Sequence, residues 1–257
     1  MINHKHISKD NNTPPSMNGL VPTLNQYGYM VETPLPVSQK FIQYAGETKG
    51  LVLDIGAAYG AVAIPALKKG ATVIANDLDS RHLEILWENT PEYLQKNLRL
   101  VEGKFPDAVE FLPSSLKAVH AAGVLHYLPG DGIKKAFKKI FNMLELGGKF
   151  FFYTTAPYIT LFSKYYPIYL KKKAAGTEWP GLMKNSWFYA PHYKGCIPKR
   201  INLLDEDIIT HLFISTGFLI EEMEYQSVQN APQEFQSDGK GFIAVVGKKP
   251  NYTKSQI

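Results

Sequence analysis

The strongest constraint on the fold is the repeated alternation of short apolar runs with amphipathic stretches. "LVLDIG" at 51–56 is an apolar run bounded by glycine, the pattern of a strand buried on both faces. "AVAIPALKKG" follows as a helix ending at Gly70, with Pro65 tolerable only near its first turns. "ATVIAND" is a second strand, and "SRHLEILWEN" a helix capped by Asp79 or Ser80. Thr90-Pro91 opens a second short helix, "PEYLQKN". "LRLVEG" and "LKAVHAAGVL" are the third and fourth strands. "DGIKKAFKKIFNMLELGG" puts Ile133, Phe137, Ile140, Phe141 and Leu144 on one helical face, with Gly147 as its stop. "KFFFYTTA" is the fifth strand. Much later come a helix, "LDEDIITHLFISTGF", and two strands, "LIEEMEYQ" and "GFIAVVGKK", around the turn signal "SDGKG". "VSQKFIQYAG" at 37–46 is a helix ahead of all of these.

Strands separated by helices imply right-handed crossovers and a parallel sheet covered on both faces. The expected fold is therefore α/β: a Rossmann-like, doubly wound sheet of seven strands, mostly parallel, with one antiparallel strand near the edge and an inserted lid. The expected organisation is a flexible tail over 1–20, a core over 21–155 and 204–250, a lid over 156–203 and a second tail over 251–257. The chain of 257 residues has one cysteine, Cys196, so it cannot build an internal disulfide framework. Its N-terminus lacks the apolar core of a signal peptide, and no run of about 18 apolar residues exists. A reducing, cytoplasmic setting is the expectation.

The turn after the first strand, "GAAYG", occupies the place where doubly wound sheets bind ligands. It fits the dinucleotide pattern G-x-G-x-x-G poorly, because Ala58 stands where a pyrophosphate would need glycine. Instead Asp54 precedes Gly56 by two residues, small residues follow at 56, 58 and 60, and Asp77 ends the next strand. This set resembles motif I and its acidic partner in the class I S-adenosylmethionine-dependent methyltransferases. Further along, "VLHYL" resembles the family's "VLHHL", "LELGGKFFF" resembles "LKPGG" followed by apolar residues, and 203–222 resembles its late helix, turn and strand.

The resemblance implies S-adenosylmethionine as cofactor and S-adenosylhomocysteine as product. It places Asp54, Gly56, Ala58, Tyr59, Gly60, Asp77, Leu78, Lys104, Phe105, Ala122 and Gly123 around the cofactor. Asp77 would accept the ribose hydroxyls, because a carboxylate's two oxygens match a vicinal diol. Asp54 would orient the loop or reach the ammonium through water. Two positions depart from the family pattern: Lys104 replaces the usual acid after the third strand, and Leu116-Lys117 opens the fourth strand. Adenine recognition then falls to the backbone near Phe105 or to Asp107. These departures motivate an alternative in which the fold is kept as a catalytically silent binding or scaffold protein.

No [DNS]-P-P-[YFW] motif follows the fourth strand, which disfavours methylation of nucleic-acid bases or protein amides. His126 lies just past that strand and could act as a general base, against a purely packing role. His120, inside the strand, reads as structural. Segment 156–203 carries eight lysines or arginines and one acid, Glu178, so the whole basic excess of the +5 chain sits there. It also holds ten aromatic residues, enough for a small core and an apolar pocket. The expected acceptor is a small or lipid-like molecule, with Tyr158 and Trp187 from the lid and Tyr27 and Tyr29 from the N-terminal arm beside it. "YITLFSKYYPIYLKKK", spanning 158–173, could also meet an anionic membrane surface. Basic-plus-aromatic composition keeps an RNA methyltransferase as a further alternative, although nucleic acid is not the expected partner. No metal site is expected.

Overall fold

The structure is a computed structural model that describes residues 13–228 and 230–251. In chain order, β1 (Leu20–Pro22) and β2 (Tyr29–Val31) form an antiparallel pair ahead of α1 (Pro36–Glu47). Then come β3 (Leu51–Ile55), α2 (Ala63–Lys68), β4 (Thr72–Asp77), α3 (Ser80–Asn89), α4 (Glu92–Gln95) and β5 (Leu98–Glu102). β6 (Leu116–Ala122), α5 (Gly130–Met143) and β7 (Leu144–Thr155) follow. The lid holds α6 (Tyr166–Ala174), β8 (Leu182–Met183), α7 (Ser186–Tyr189) and β9 (Ile201–Asn202). α8 (Glu206–Thr216), β10 (Leu219–Gln226), α9 (Gln233–Gln236) and β11 (Phe242–Lys248) complete the chain.

The seven-stranded sheet runs β10-β11-β7-β6-β3-β4-β5. β11 is antiparallel to both neighbours, and the other pairs are parallel. The chain moves outward from β3 through β4 to β5, then returns to β6 on β3's other side. That reversal makes the crevice above β3 and β6 the switch point.

Period-two alternation splits the sheet residues between two cores. Val52, Val73, Ala118 and Phe151 pack with α1, α2 and α3. Leu53, Ile74, Val119, Phe150 and Phe152 pack with α5 and α8. Phe137 of α5 meets Phe150 and Phe213 edge-on, with ring centroids 5.4 and 5.1 Å apart.

Two features differ from the sequence reading. α5 stops at Met143 rather than Gly147, because the Lys249 ammonium donates to the carbonyls of Phe141 (2.8 Å) and Leu144 (2.6 Å). Leu144 already pairs with Leu116 as strand, and residues 145–148 bulge before Lys149 pairs with Ala118. Second, the arm at 20–31 is a hairpin whose Leu20 and Val21 are buried. Its anchors lie far away in sequence, as described below.

The lid packs its own aromatics. Tyr165 donates to Pro180 O and Tyr169 to Asp205, the residue that caps α8 by accepting from Ile208 N–H at 3.0 Å. Lys173 pairs with both Asp205 and Asp207, so the lid is pinned to the start of α8.

Candidate active site

The turn after β3 folds against the end of β4. Gly56 N–H and Ala57 N–H both donate to Asn76 O, at 2.9 and 3.0 Å. Ala58 N–H donates to Asp77 Oδ2 at 3.0 Å, and Gly60 N–H to Ala57 O at 2.9 Å. A phosphate-binding turn presents such groups to its ligand; here they are spent inward. Gly56 sits at φ +72°, and a Cβ there would meet Val124 Cγ2 at 3.1 Å. Ala58 is left-handed at φ +44°, a conformation costly for a residue with a Cβ.

Asp77 ends β4 with its carboxylate largely committed. Oδ1 accepts from Asp79 N–H at 3.1 Å and lies 3.1 Å from His82 Nδ1. His82 Nε2 accepts from Leu24 N–H at 3.0 Å, so the proton of this buried imidazole resides on Nδ1 and points at Asp77. Tyr59 joins the same knot, since its hydroxyl donates to Pro22 O at 2.9 Å and shares Leu24 N–H at 3.1 Å. Burial pushes the Tyr59 hydroxyl up to about 12. The N-terminal arm is therefore latched onto the carboxylate of β4 through His82.

A second buried chain lies beside it. Asp54 Oδ1 is 2.7 Å from His120 Nδ1, and His120 Nε2 is 2.8 Å from Ser38 Oγ. In the tautomer with Nδ1–H donating to the Asp54 carboxylate, Nε2 accepts from the Ser38 hydroxyl. Phe41 stacks on the imidazole at 5.0 Å, which fixes its plane. Among the described residues, none hydrogen-bonds to Asp54 Oδ2.

These groups border one cleft of about 1250 Å³ of open space, part of it continuous with solvent. It brings together Asp54, Gly56, Ala58, Asp77, Leu78, Lys104, Phe105, Ala122 and Gly123 from the expected cofactor set, and Tyr27 and Tyr29 from the arm. Tyr59 and Gly60 stand behind this lining. Tyr158 and Trp187 lie elsewhere: Tyr158 donates to Glu206, and Trp187 Nε1–H donates to Ile197 O at 2.8 Å inside the lid. His126 is also outside the lining; it is buried with Nδ1 3.3 Å from Thr154 Oγ1, and burial pushes its pKa down to about 3. The residues that sequence reasoning missed are Ser38, His82, His120, Tyr127, Tyr153 and Arg200, all bordering the cleft. Burial raises the hydroxyl pKa values of Tyr29, Tyr127 and Tyr153, which keeps them neutral. Among the described residues no group of three or more His, Cys, Asp or Glu could hold a metal ion, and no helix is long and apolar enough to cross a membrane.

Residues 52–148 match the family model described as methyltransferase domain. No curated protein matches the chain in sequence. Among solved structures, an S-adenosylmethionine-dependent methyltransferase from Mesorhizobium loti superposes with TM-score 0.62 at 16% identity, covering 83% of this chain and 96% of that one. One from Methanosarcina mazei gives TM-score 0.63 at 16% identity, covering 86% and 100%. A geranyl diphosphate methyltransferase in complex with SAM gives 0.57 at 12% identity, covering 82% and 84%.

Proposed function

We propose that this chain, which carries a methyltransferase domain on the fold of the S-adenosylmethionine-dependent methyltransferases, transfers a methyl group to a small, predominantly apolar acceptor. The observation that carries the reading is the cleft itself. It lies at the switch point, has an acid at the end of β4, and has a glycine turn whose N–H groups are not free for phosphate. That chemistry suits a ligand with a ribose and an amino-acid tail better than a dinucleotide.

The residues present fit such a cofactor. Asp77 would hold the ribose through its remaining acceptor site, and Asp54 would face the ammonium with the oxygen that His120 leaves open. Leu78 and Phe105 offer apolar surface for adenine. When bound, S-adenosylmethionine would supply an electrophilic methyl group. His120 and Ser38 act as positioning residues, because together they hold Asp54 in one orientation. Tyr27, Tyr29, Met30, Tyr127 and Leu128 also line the cleft, and their apolar surface would exclude water from the acceptor. The two bordering imidazoles, His82 and His120, are each engaged at both nitrogens, and the buried tyrosines stay neutral. The acceptor therefore brings a nucleophile that needs little help from a protein base.

The printed substrate of one structural neighbour, geranyl diphosphate, joins an apolar body to an anion, and an acceptor of that character suits this cleft. The lid supports delivery from a membrane surface, since Ile168, Leu170 and Phe188 are exposed near Lys164, Lys171 and Lys184. The test is methyl-labelled S-adenosylmethionine incubated with the protein and a cell extract. Label in the apolar small-molecule fraction is the expected result. Label confined to RNA would favour nucleic-acid methylation, and no transfer at all would favour the scaffold alternative.

A further inference from the structure

Strand β9 contains the least explained polar group in the molecule. Asn202 is fully buried, yet neither its side-chain nitrogen nor its oxygen has a hydrogen-bond partner; it is the single such side chain among the described residues. Leaving a buried amide unpaired is costly, and native folds retain such groups where something else satisfies them. A packing role would predict the opposite, a paired amide or an apolar residue.

Arg200 stands two positions earlier, and the period of two along an extended segment puts both residues on one face. Between them Ile201 packs into the core. Arg200 borders the cleft and is exposed, with no acidic partner among the described residues. β9 itself packs against the 125–127 turn, whose Leu125 and Tyr127 also border the cleft. The same lid touches the arm, since Gly28 N–H donates to Cys196 O at 2.9 Å. One edge of the cleft thus joins the Arg200 guanidinium to a wall of tyrosines, and the unsatisfied Asn202 amide is buried two residues behind that guanidinium, outside the cleft lining.

Building on the methyl-transfer reading of this cleft, we propose that Arg200 and Asn202 are its acceptor-recognition residues, and that the acceptor carries an acid group, carboxylate or phosphate, on an apolar or aromatic body. Arg200 binds the acid through its planar fork. Asn202 gains its missing hydrogen bonds when the lid settles over the bound acceptor. An anionic acceptor is also consistent with a site in which no imidazole is free to act as a base.

The experiment titrates benzoate, phenyl phosphate and, as a neutral control, benzyl alcohol into protein saturated with S-adenosylhomocysteine, by calorimetry. Wild-type protein should bind at least one of the two anions, and which one distinguishes carboxylate from phosphate. Benzyl alcohol should bind about tenfold more weakly or worse, and Arg200→Gln should weaken the anion by about tenfold or more, as expected for a charge-assisted pair. Asn202→Leu should lose anion binding while raising the thermal midpoint by about 2–4 °C, because a buried unpaired amide is removed. Equal anion binding by wild type and Arg200→Gln would overturn the proposal. So would alcohol binding as tight as the anions, or a lowered midpoint in Asn202→Leu. S-adenosylhomocysteine binding without anion binding would refute this inference alone. Failure of wild-type protein to bind S-adenosylhomocysteine would refute the methyl-transfer reading beneath it.

Discussion

Asp77→Asn removes one charge and turns one acceptor oxygen into a donor. In the fold, Oδ1 takes Asp79 N–H and the His82 Nδ1 proton, and Oδ2 takes Ala58 N–H. A carboxylate has about four acceptor sites, so one, on Oδ2, remains for a ligand. The least damaging orientation of asparagine keeps its oxygen at the Oδ1 position and turns its amide nitrogen toward Ala58 N–H. One buried donor is then orphaned, at a cost of about 1–3 kcal/mol. The open acceptor site vanishes as well. Losing one charge-assisted hydrogen bond to the ribose, about 1.5–3 kcal/mol, weakens S-adenosylhomocysteine about 10- to 150-fold. Urea denaturation measures the first effect and calorimetry the second, at a temperature where the variant is folded. A variant that loses stability but binds within threefold of wild type would refute the ribose assignment and leave Asp77 a structural role only.

Ala58→Gly should stabilise the fold by about 1 kcal/mol, because glycine adopts φ +44° without penalty; a urea midpoint at or below wild type would contradict this. The folded-state pKa of His126 is depressed from 6.5 to about 3, so the unfolded chain binds the extra proton first. Its contribution to stability is complete above pH 6.5 and is lost as pH falls toward 3, at up to about 1.4 kcal/mol per pH unit; His126→Gln should flatten that slope in pH-dependent unfolding without altering S-adenosylhomocysteine affinity. Tyr59→Phe removes the hydroxyl that holds Pro22 O and shares Leu24 N–H, costing about 1–2 kcal/mol and speeding limited proteolysis within 20–31.

The sheet was readable because its strands are dense apolar runs and its helices show a clear period of 3.6. "LIEEMEYQ" coincides with β10, "GFIAVVGKK" overruns β11 by one residue at each end, and the expected antiparallel strand near the edge is β11. The helix stop at Met143 was not readable, because the lysine that caps it lies over a hundred residues further along the chain. The arm hairpin fails for the same reason. Its three-residue strands carry little local signal, and its latch consists of Tyr59 and His82. At the site, the spacing of Asp54 and Asp77 about the glycine turn, together with its resemblance to the family motif, pointed to both acids, which sit in the C-terminal halves of β3 and β4. Spacing says nothing about a turn residue's side chain: His126, weighed from its position just past the fourth strand as a base or a packing residue, has its Nδ1 3.3 Å from Thr154 Oγ1. Ser38 and His120 are 82 positions apart, and only the packing of α1 across β6 reveals them as partners.

The central claim is that this cleft takes S-adenosylmethionine rather than a dinucleotide. The most direct test is calorimetric titration of the unmodified protein with S-adenosylhomocysteine and, separately, with NAD. Binding of S-adenosylhomocysteine in the micromolar range with no detectable heat from NAD is the predicted result. Binding of NAD, or of neither ligand, would contradict the account.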